Sequence, residues 1–151
     1  MTDLVGQQAP EFTLRDQDGK KITLSELRGQ TVVLVFYPLD WSPGCTDQLN
    51  VYQEAMGDFR KHGATLYGIS VDSAFSHKAF QDHLGLEISL LADFEPKGEV
   101  ARRYGMYIES RGHNERGFVV VSPDGTVKHW HKSPSPLEIP GANLILDALA
   151  T

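Results

Sequence analysis

The sequence predicts an α/β fold in which a central mixed sheet is flanked by helices, and three observations carry this prediction. The continuous apolar run over residues 31–37 is typical of a strand buried on both faces, and residues 66–71 indicate a second buried strand. Residues 46–62 between them have helical periodicity, so the strands should be parallel and joined by a crossover helix. Later, residues 118–121 and 126–130 flank a Ser-Pro-Asp-Gly turn, which predicts an antiparallel hairpin. A parallel β-α-β unit followed by a hairpin indicates a mixed, helix-covered sheet.

The remaining elements follow from turn and helix signals. Residues 12–15 and 20–24 flank Asp18-Gly19, which predicts an N-terminal β-hairpin extension. Gly63 is expected to end the crossover helix. The other predicted elements are a helical turn over 25–29, a helix over 76–83, a strand over 88–91, a helix over 97–104 and a helix over 143–150. The length predicts a single domain over residues 1–151.

Composition excludes several classes of protein. Apolar residues make up 40% of the chain and charged residues 23%, which are ordinary globular values. The formal net charge of −6 argues against nucleic acid or an anionic membrane as a main partner. No stretch has the length of a signal-peptide core or a membrane span. We therefore expect a cytoplasmic protein, and a single cysteine fits a reducing compartment.

The only cysteine, Cys45, is the most informative residue. It follows an apolar strand and the break at Pro43-Gly44, so it should lie in the first turn of a helix. Free N–H groups and the helix dipole stabilise a thiolate there, and the small backbone of Gly44 leaves room for a ligand. Ser42, three residues earlier, places a hydroxyl on the same turn. A buried structural cysteine is the alternative, but such a residue would lie within an apolar run.

The spacing Pro38-x-x-x-Ser42-x-x-Cys45 resembles the signature of the peroxiredoxin family. Residues 43–48 are similar to the Q-type (bacterioferritin-comigratory) branch of that family. Residues 96–105 and 114–120 resemble the one-cysteine AhpE-type branch. Residues 6–14 are typical of peroxiredoxins in general. Together these segments cover nearly the whole chain.

The resemblance implies a thioredoxin-like fold and a thiol-dependent reduction of hydrogen peroxide, organic hydroperoxides or peroxynitrite, without cofactor or metal. Cys45 would be the peroxidatic thiol, shielded by Pro38 and assisted by Ser42, which stands where threonine is usual. Arg116 matches the family arginine, whose guanidinium would favour the thiolate and hold a peroxide oxygen. The further candidates for substrate binding are Trp41, Gly44 and Gln48.

Two departures from the family pattern affect the expected mechanism. Serine at position 42 keeps the hydroxyl but lacks the methyl group that restricts its rotation, so we expect retained but slower chemistry. Asn50 occupies the position of the resolving cysteine found in many Q-type proteins. A sulfenic acid on Cys45 would therefore need an external thiol, from a thioredoxin-like or glutaredoxin-like protein, a mycothiol- or bacillithiol-type system, or glutathione. The resemblance also implies a homodimer.

Other interpretations stay open. A non-enzymatic peroxide sensor or chaperone-like protein, switched by oxidation of Cys45, is the main alternative. The run Trp-Ser-Pro-Gly-Cys also resembles a thioredoxin site that has lost its first cysteine, which predicts a poor disulfide reductase. His129 and His131 share one strand face and are expected to be solvated rather than to bind metal. The candidates for an apolar pocket or dimer contact are Tyr37, Trp41, Phe75 and Phe94, with core packing as the alternative for Tyr37. Arg111 is a mid-loop rival of Arg116.

Overall fold

The computed structural model describes residues 4–151, so Met1, Thr2 and Asp3, which the single-domain prediction includes, lie outside the described residues. The strands are β1 (Thr13–Arg15), β2 (Lys21–Thr23), β3 (Thr31–Phe36), β4 (Ala64–Ser70), β5 (Ser89–Ala92), β6 (Tyr107–Ile108), β7 (His113–Asn114), β8 (Gly117–Val121) and β9 (Val127–Lys132). The helices are α1 (Pro43–Glu54), α2 (Met56–Lys61), α3 (Ala74–Leu84), α4 (Glu99–Arg103) and α5 (Ala142–Ala150), with a 3-10 turn at Leu24–Leu27.

One seven-stranded sheet organises the molecule, in the order β2-β1-β5-β4-β3-β8-β9. Strands β3, β4 and β5 are parallel, whereas β8 and β9 continue the sheet antiparallel. The N-terminal hairpin β1–β2 joins the other edge, where β1 pairs with β5. The predicted mixed sheet and the N-terminal hairpin are therefore confirmed. The short β6–β7 hairpin was not predicted.

Strand β3 shows why the sheet has two covered faces. Val33 and Val35 belong to one apolar cluster, and Val32 and Leu34 belong to the other. This alternation follows from the two-residue period of a strand, and all four side chains are at most 2% exposed. Cys45 lies in the first of these clusters, so α1 packs on the Val33 face.

The crossover helix differs from its prediction. It begins at Pro43 rather than at residue 46, because a proline at the first helical position has no N–H that needs a partner. It also divides at Ala55, whose ψ of 4° is outside the helical range, into α1 and α2. Gly63 follows with a φ of +67° and ends the segment as predicted.

The predicted aromatic pocket forms only in part. Phe75 and Phe94 are exposed and line a cavity of about 360 Å³ beside β1. Tyr37 is fully buried in the core, and Trp41 packs elsewhere, against α3. No helix within residues 4–151 combines the length and apolarity needed to cross a bilayer.

Candidate active site

The N-terminus of α1 presents the cysteine as the sequence predicts. Ser42 is the N-cap, and its Oγ accepts a hydrogen bond from the backbone N–H of Cys45 at 3.4 Å. Pro43 and Gly44 occupy the first two helical positions, which places Cys45 third. The backbone N–H and the hydroxyl of Thr46 both donate to the Ser42 carbonyl, at 3.0 and 3.1 Å. The thiol therefore lies where the helix dipole favours negative charge.

The accessible thiol expected from the Pro43-Gly44 break is not present in this structure. Cys45 is 0% exposed and belongs to the apolar cluster that includes Leu49 and Val35. The reason is that a helix beginning directly at Pro43 turns its third residue toward the sheet. A peroxide can therefore reach the sulfur only when the neighbouring residues move.

Sheet pairing brings Arg116 to the start of α1. Strand β8 runs antiparallel to β3 with Phe36 opposite Gly117, so the residue before β8 lies at the sheet edge where β3 ends. Arg116 is only 5% exposed. Its Nη1 donates to Oε1 of Gln48 at 2.8 Å, and its Nε donates to the backbone oxygen of Pro136. A buried cation is thus held in one orientation beside the helix that carries the thiol.

Gly44 allows this approach. A Cβ built at Gly44 would lie 2.5 Å from Nη2 and 3.2 Å from Cζ of Arg116. Those distances are well inside van der Waals contact, so the guanidinium rests directly on the glycine backbone. The predicted role of Gly44 in substrate binding therefore includes making room for the cation.

Replacing Gly44 by alanine is expected to displace the guanidinium and slow the reaction of Cys45 with added hydrogen peroxide by about tenfold to a hundredfold. Alanine favours helix more than glycine, so the helix itself should not be weakened. Stopped-flow oxidation of Cys45 measures the rate. Gly57, which has open space around its Cβ position, provides the matched control, and its alanine variant should react at the wild-type rate. Equal rates for Gly44→Ala and wild type would contradict the steric argument.

A chain of hydrogen bonds behind the arginine was not predicted. Nε2 of Gln48 donates to the hydroxyl of Tyr52 at 3.4 Å, and that hydroxyl donates to the backbone oxygen of Pro140 at 2.6 Å. Burial raises the pKa of Tyr52 to about 12, so its hydroxyl stays protonated. The carbonyl oxygen of Gln48 orients Arg116, and the predicted contact of Gln48 with substrate stays a prediction. The i, i+4 spacing of Gln48 and Tyr52 was the available signal.

The other predicted residues occupy varied surroundings. Pro38 is buried two residues after the end of β3, consistent with a shielding role. Trp41 is half-exposed, and its ring packs on α3, so its contact with substrate stays a prediction. Arg111 is exposed, as expected for a surface charge.

His129 and His131 are half-buried, which corrects the prediction of a solvated strand face. His131 packs on the ring of Phe118 at a centroid distance of 5.4 Å, and Nε2 of His129 lies 2.9 Å from the hydroxyl of Thr151. Helix α5 covers this side of β9, which is why neither ring is fully solvated. In the described part of the chain, no three His, Cys, Asp or Glu side chains are grouped closely enough to hold a metal ion.

Comparison with known proteins decides the family. A profile of the AhpC/TSA family matches residues 5–130. The chain belongs to this family. "Alkyl hydroperoxide reductase E" of Mycobacterium bovis is 35% identical over 147 residues, which are 97% of this chain and 95% of that protein. "Putative peroxiredoxin Q, chloroplastic" of Oryza sativa subsp. indica is 48% identical over 88 residues, 58% of this chain, and the matched region spans only 41% of the rice protein.

These two relatives confirm the resemblance to both the Q-type and the AhpE-type branches. Among solved structures, Peroxidoxin BcpB of Mycobacterium tuberculosis superposes with a TM-score of 0.87 at 28% identity, covering 99% of this chain and 97% of that one. The predicted thioredoxin-like fold is therefore confirmed as well.

The N-cap at Ser42 leads to a further prediction. Replacing Ser42 by alanine removes the acceptor of the Cys45 N–H, which should lower the free energy of unfolding by about 1 kcal/mol. It also removes a hydroxyl from the turn that carries the thiol, so the reaction of Cys45 with hydrogen peroxide should slow. Threonine, the residue usual in the family, should restore stability and reach at least the wild-type rate. Denaturant titration measures the change in stability, and stopped-flow oxidation of Cys45 measures the rate. A Ser42→Ala variant that reacts at the wild-type rate would exclude a role for the hydroxyl in the reaction.

Proposed function

We propose that this protein is a thiol-dependent peroxidase that reduces hydrogen peroxide or organic hydroperoxides by a one-cysteine mechanism. The observation that carries the proposal is the position of Cys45. It lies on the first turn of α1, one residue after the glycine on which the buried Arg116 guanidinium rests. Membership of the AhpC/TSA family supports the same chemistry.

The first chemical step is attack of the Cys45 thiolate on one peroxide oxygen. An S–O bond forms, the O–O bond breaks, and the leaving oxygen departs as an alkoxide or hydroxide that takes up a proton to give alcohol or water. Negative charge moves from sulfur onto the separating oxygen during this step. The guanidinium of Arg116 and the hydroxyl of Ser42 are the donors placed near this helix start to stabilise it.

The second stage returns the sulfur to its starting state. One external thiol attacks the sulfenic acid of Cys45, which releases water and forms a mixed disulfide. A second thiol then attacks that disulfide and releases the free thiol of Cys45. Two thiols are consumed for each peroxide, and both come from other molecules because the chain has one cysteine. The reductant is proposed to be a thioredoxin- or glutaredoxin-type protein or a low-molecular-weight thiol.

Stoichiometric oxidation of the purified protein tests the proposal. One equivalent of hydrogen peroxide should produce a sulfenic acid that dimedone traps on Cys45, as located by peptide mass spectrometry. Dimedone is needed because a sulfenic acid and a methionine sulfoxide each add the mass of one oxygen atom, and the chain has three methionines. Candidate thiols are then screened for recovery of the free thiol and for sustained peroxide consumption. No dimedone adduct would contradict the proposal, and a sulfenic acid that no thiol reduces, in oxidised protein not treated with dimedone, would favour the sensor interpretation.

The assembly and location inferred from the resemblance are part of the proposal. A homodimer is expected, and sedimentation at micromolar concentration checks it. A cytoplasmic location likewise stays a prediction.

A further inference from the structure

A buried polar network lies beside the loop that connects β3 to α1, and none of its members takes part in the chemistry proposed above. At its centre is the carboxylate of Asp40. It accepts hydrogen bonds from the hydroxyl of Tyr37 at 2.7 Å, the hydroxyl of Ser76 at 2.9 Å and Nδ1 of His77 at 2.8 Å. The side chains of Asp40 and His77 are both 0% exposed. A charge buried this deeply is stable only when it is paired and hydrogen-bonded, as it is here.

The ring of His77 joins three parts of the fold. Nδ1 lies 2.8 Å from Oδ2 of Asp40, and Nε2 lies 3.0 Å from the backbone oxygen of Leu91 in β5. A carboxylate and a carbonyl oxygen only accept, so both contacts are hydrogen bonds when each ring nitrogen carries a proton. The pair ties the β3–α1 loop to α3 and β5.

Two other titratable groups face this pair. Burial, together with the neighbouring Asp40 carboxylate, raises the pKa of Tyr37 well above its ordinary value, so the hydroxyl remains a donor. The carboxylate of Asp72 accepts a hydrogen bond from the backbone N–H of Asp40 at 2.8 Å, and burial raises the pKa of that carboxyl. Asp40 is therefore fixed through its side chain and through its backbone.

The residue after Asp40 shows why such fixing is needed. Trp41 has a φ of 74°, the only positive φ at a non-glycine residue within positions 4–151. That conformation is unfavourable for an L-residue and persists only where the surroundings impose it. The indole packs against Phe80 and His83 of α3, at centroid distances of 5.1 and 5.5 Å. Ser42, the N-cap of α1, comes next along the chain.

We propose that Asp40 and His77 are positioning residues for the peroxide reaction. Their buried pair holds the strained turn that precedes α1 and thereby sets the position of Ser42 and Cys45 opposite the arginine. The inference rests on the peroxidase activity proposed above. Misplacement of a reacting group by about 1 Å is enough to reduce a rate about a hundredfold, so loss of the pair should act on catalysis without touching the thiol.

Two amide substitutions at His77 separate the bonds that it makes. In His77→Asn, the side-chain amide takes the place of Nδ1 and keeps the hydrogen bond to Asp40. In His77→Gln, the longer side chain takes the place of Nε2 and keeps the bond to Leu91 instead. Stopped-flow oxidation should show the asparagine variant within about threefold of wild type and the glutamine variant slower by about tenfold or more. Equal rates for the two variants, or a faster glutamine variant, would overturn the proposal.

A second pair of variants removes one buried hydroxyl from each face of the sheet. Tyr37→Phe deletes a donor to Asp40, whereas Tyr104→Phe deletes a hydroxyl that donates to the Pro10 carbonyl at 2.7 Å in the opposite apolar cluster. Both should lower the melting temperature, but only Tyr37→Phe should slow the oxidation of Cys45. If the two variants slow it equally, the role of the network is merely structural.

A readout without peroxide keeps this inference separate from the proposed function. The backbone amide signals of Ser42 and Cys45 in reduced protein should shift in His77→Gln and stay near wild type in His77→Asn. If wild-type protein failed to react with peroxide, the proposed function would fall, while these signals would still decide whether the pair positions the helix start. Unshifted signals in both variants would overturn the positioning role.

Discussion

Replacing Cys45 by serine is expected to abolish peroxide consumption. A serine hydroxyl does not ionise near neutral pH, so it supplies no nucleophile comparable to a thiolate. The chain has no second cysteine that could take over the reaction. The rate of hydrogen peroxide loss with an excess of reducing thiol should therefore fall to the rate of the thiol alone. Because the buried sulfur is replaced by a slightly smaller oxygen, the variant should stay folded, with a loss of about 1 kcal/mol in the free energy of unfolding.

Two measurements make this result decisive. Circular dichroism and denaturant titration show that the Cys45→Ser protein is folded, so that inactivity is not loss of structure. Oxidation of methionine sets the background rate of peroxide loss in the serine variant, which keeps Met56 and Met106. Met106 is fully buried, so it should add little to that rate. Peroxidase activity in the serine variant equal to that of wild type would rule out Cys45 as the peroxidatic residue.

Strand and turn chemistry made most of the fold predictable. Residues 32–37 are apolar without interruption and residues 66–71 are interrupted only by Ser70, and strands covered on both faces need such a sequence. The β6–β7 hairpin escaped prediction because two-residue strands have no periodicity to detect. The division of the crossover helix at Ala55 escaped as well, because alanine favours helix and carries no breaking signal.

Only those parts of the candidate site that lie close together in the sequence could be predicted. The spacing of Ser42 and Cys45 is local, so their place on one turn at the start of a helix followed from sequence, whereas the role of Ser42 as the N-cap did not. The contact of Arg116 with Gly44 depends on the register between β3 and β8, and that register is not visible in either segment. The full burial of Cys45 is likewise a property of how the helix docks on the sheet.

The network around Asp40 illustrates the same limit more sharply. Asp40 and His77 are 37 residues apart, and each alone would be taken for a surface residue. Tyr37 gave a partial signal, since its position at the end of a buried strand predicted core packing. What the sequence could not supply was the set of partners that Asp40 finds on α3, because Ser76 and His77 reach its carboxylate only when α3 packs against the loop.

Replacing Arg116 is expected to have the second largest effect. Alanine removes the charge that favours the thiolate and the donor that stabilises the leaving oxygen, so the rate with hydrogen peroxide should fall about a hundredfold or more. It also leaves Oε1 of Gln48 and the carbonyl of Pro136 without their donor, which should cost about 1–3 kcal/mol of stability. The acidic limb of the pH–rate profile should move to higher pH, because the thiolate loses a neighbouring cation.

Arg116→Lys separates charge from geometry. Lysine keeps the positive charge, but its single ammonium group cannot donate to Gln48 and Pro136 while also resting on Gly44. We therefore expect a pH–rate profile close to that of wild type with a rate at least about tenfold lower. Arg111→Ala is the matched control, since that arginine is exposed and its loss should change neither property. A pH–rate profile that stays unchanged in Arg116→Ala would show that the guanidinium does not act on the thiol, and the mechanism would then have to rest on the helix start alone.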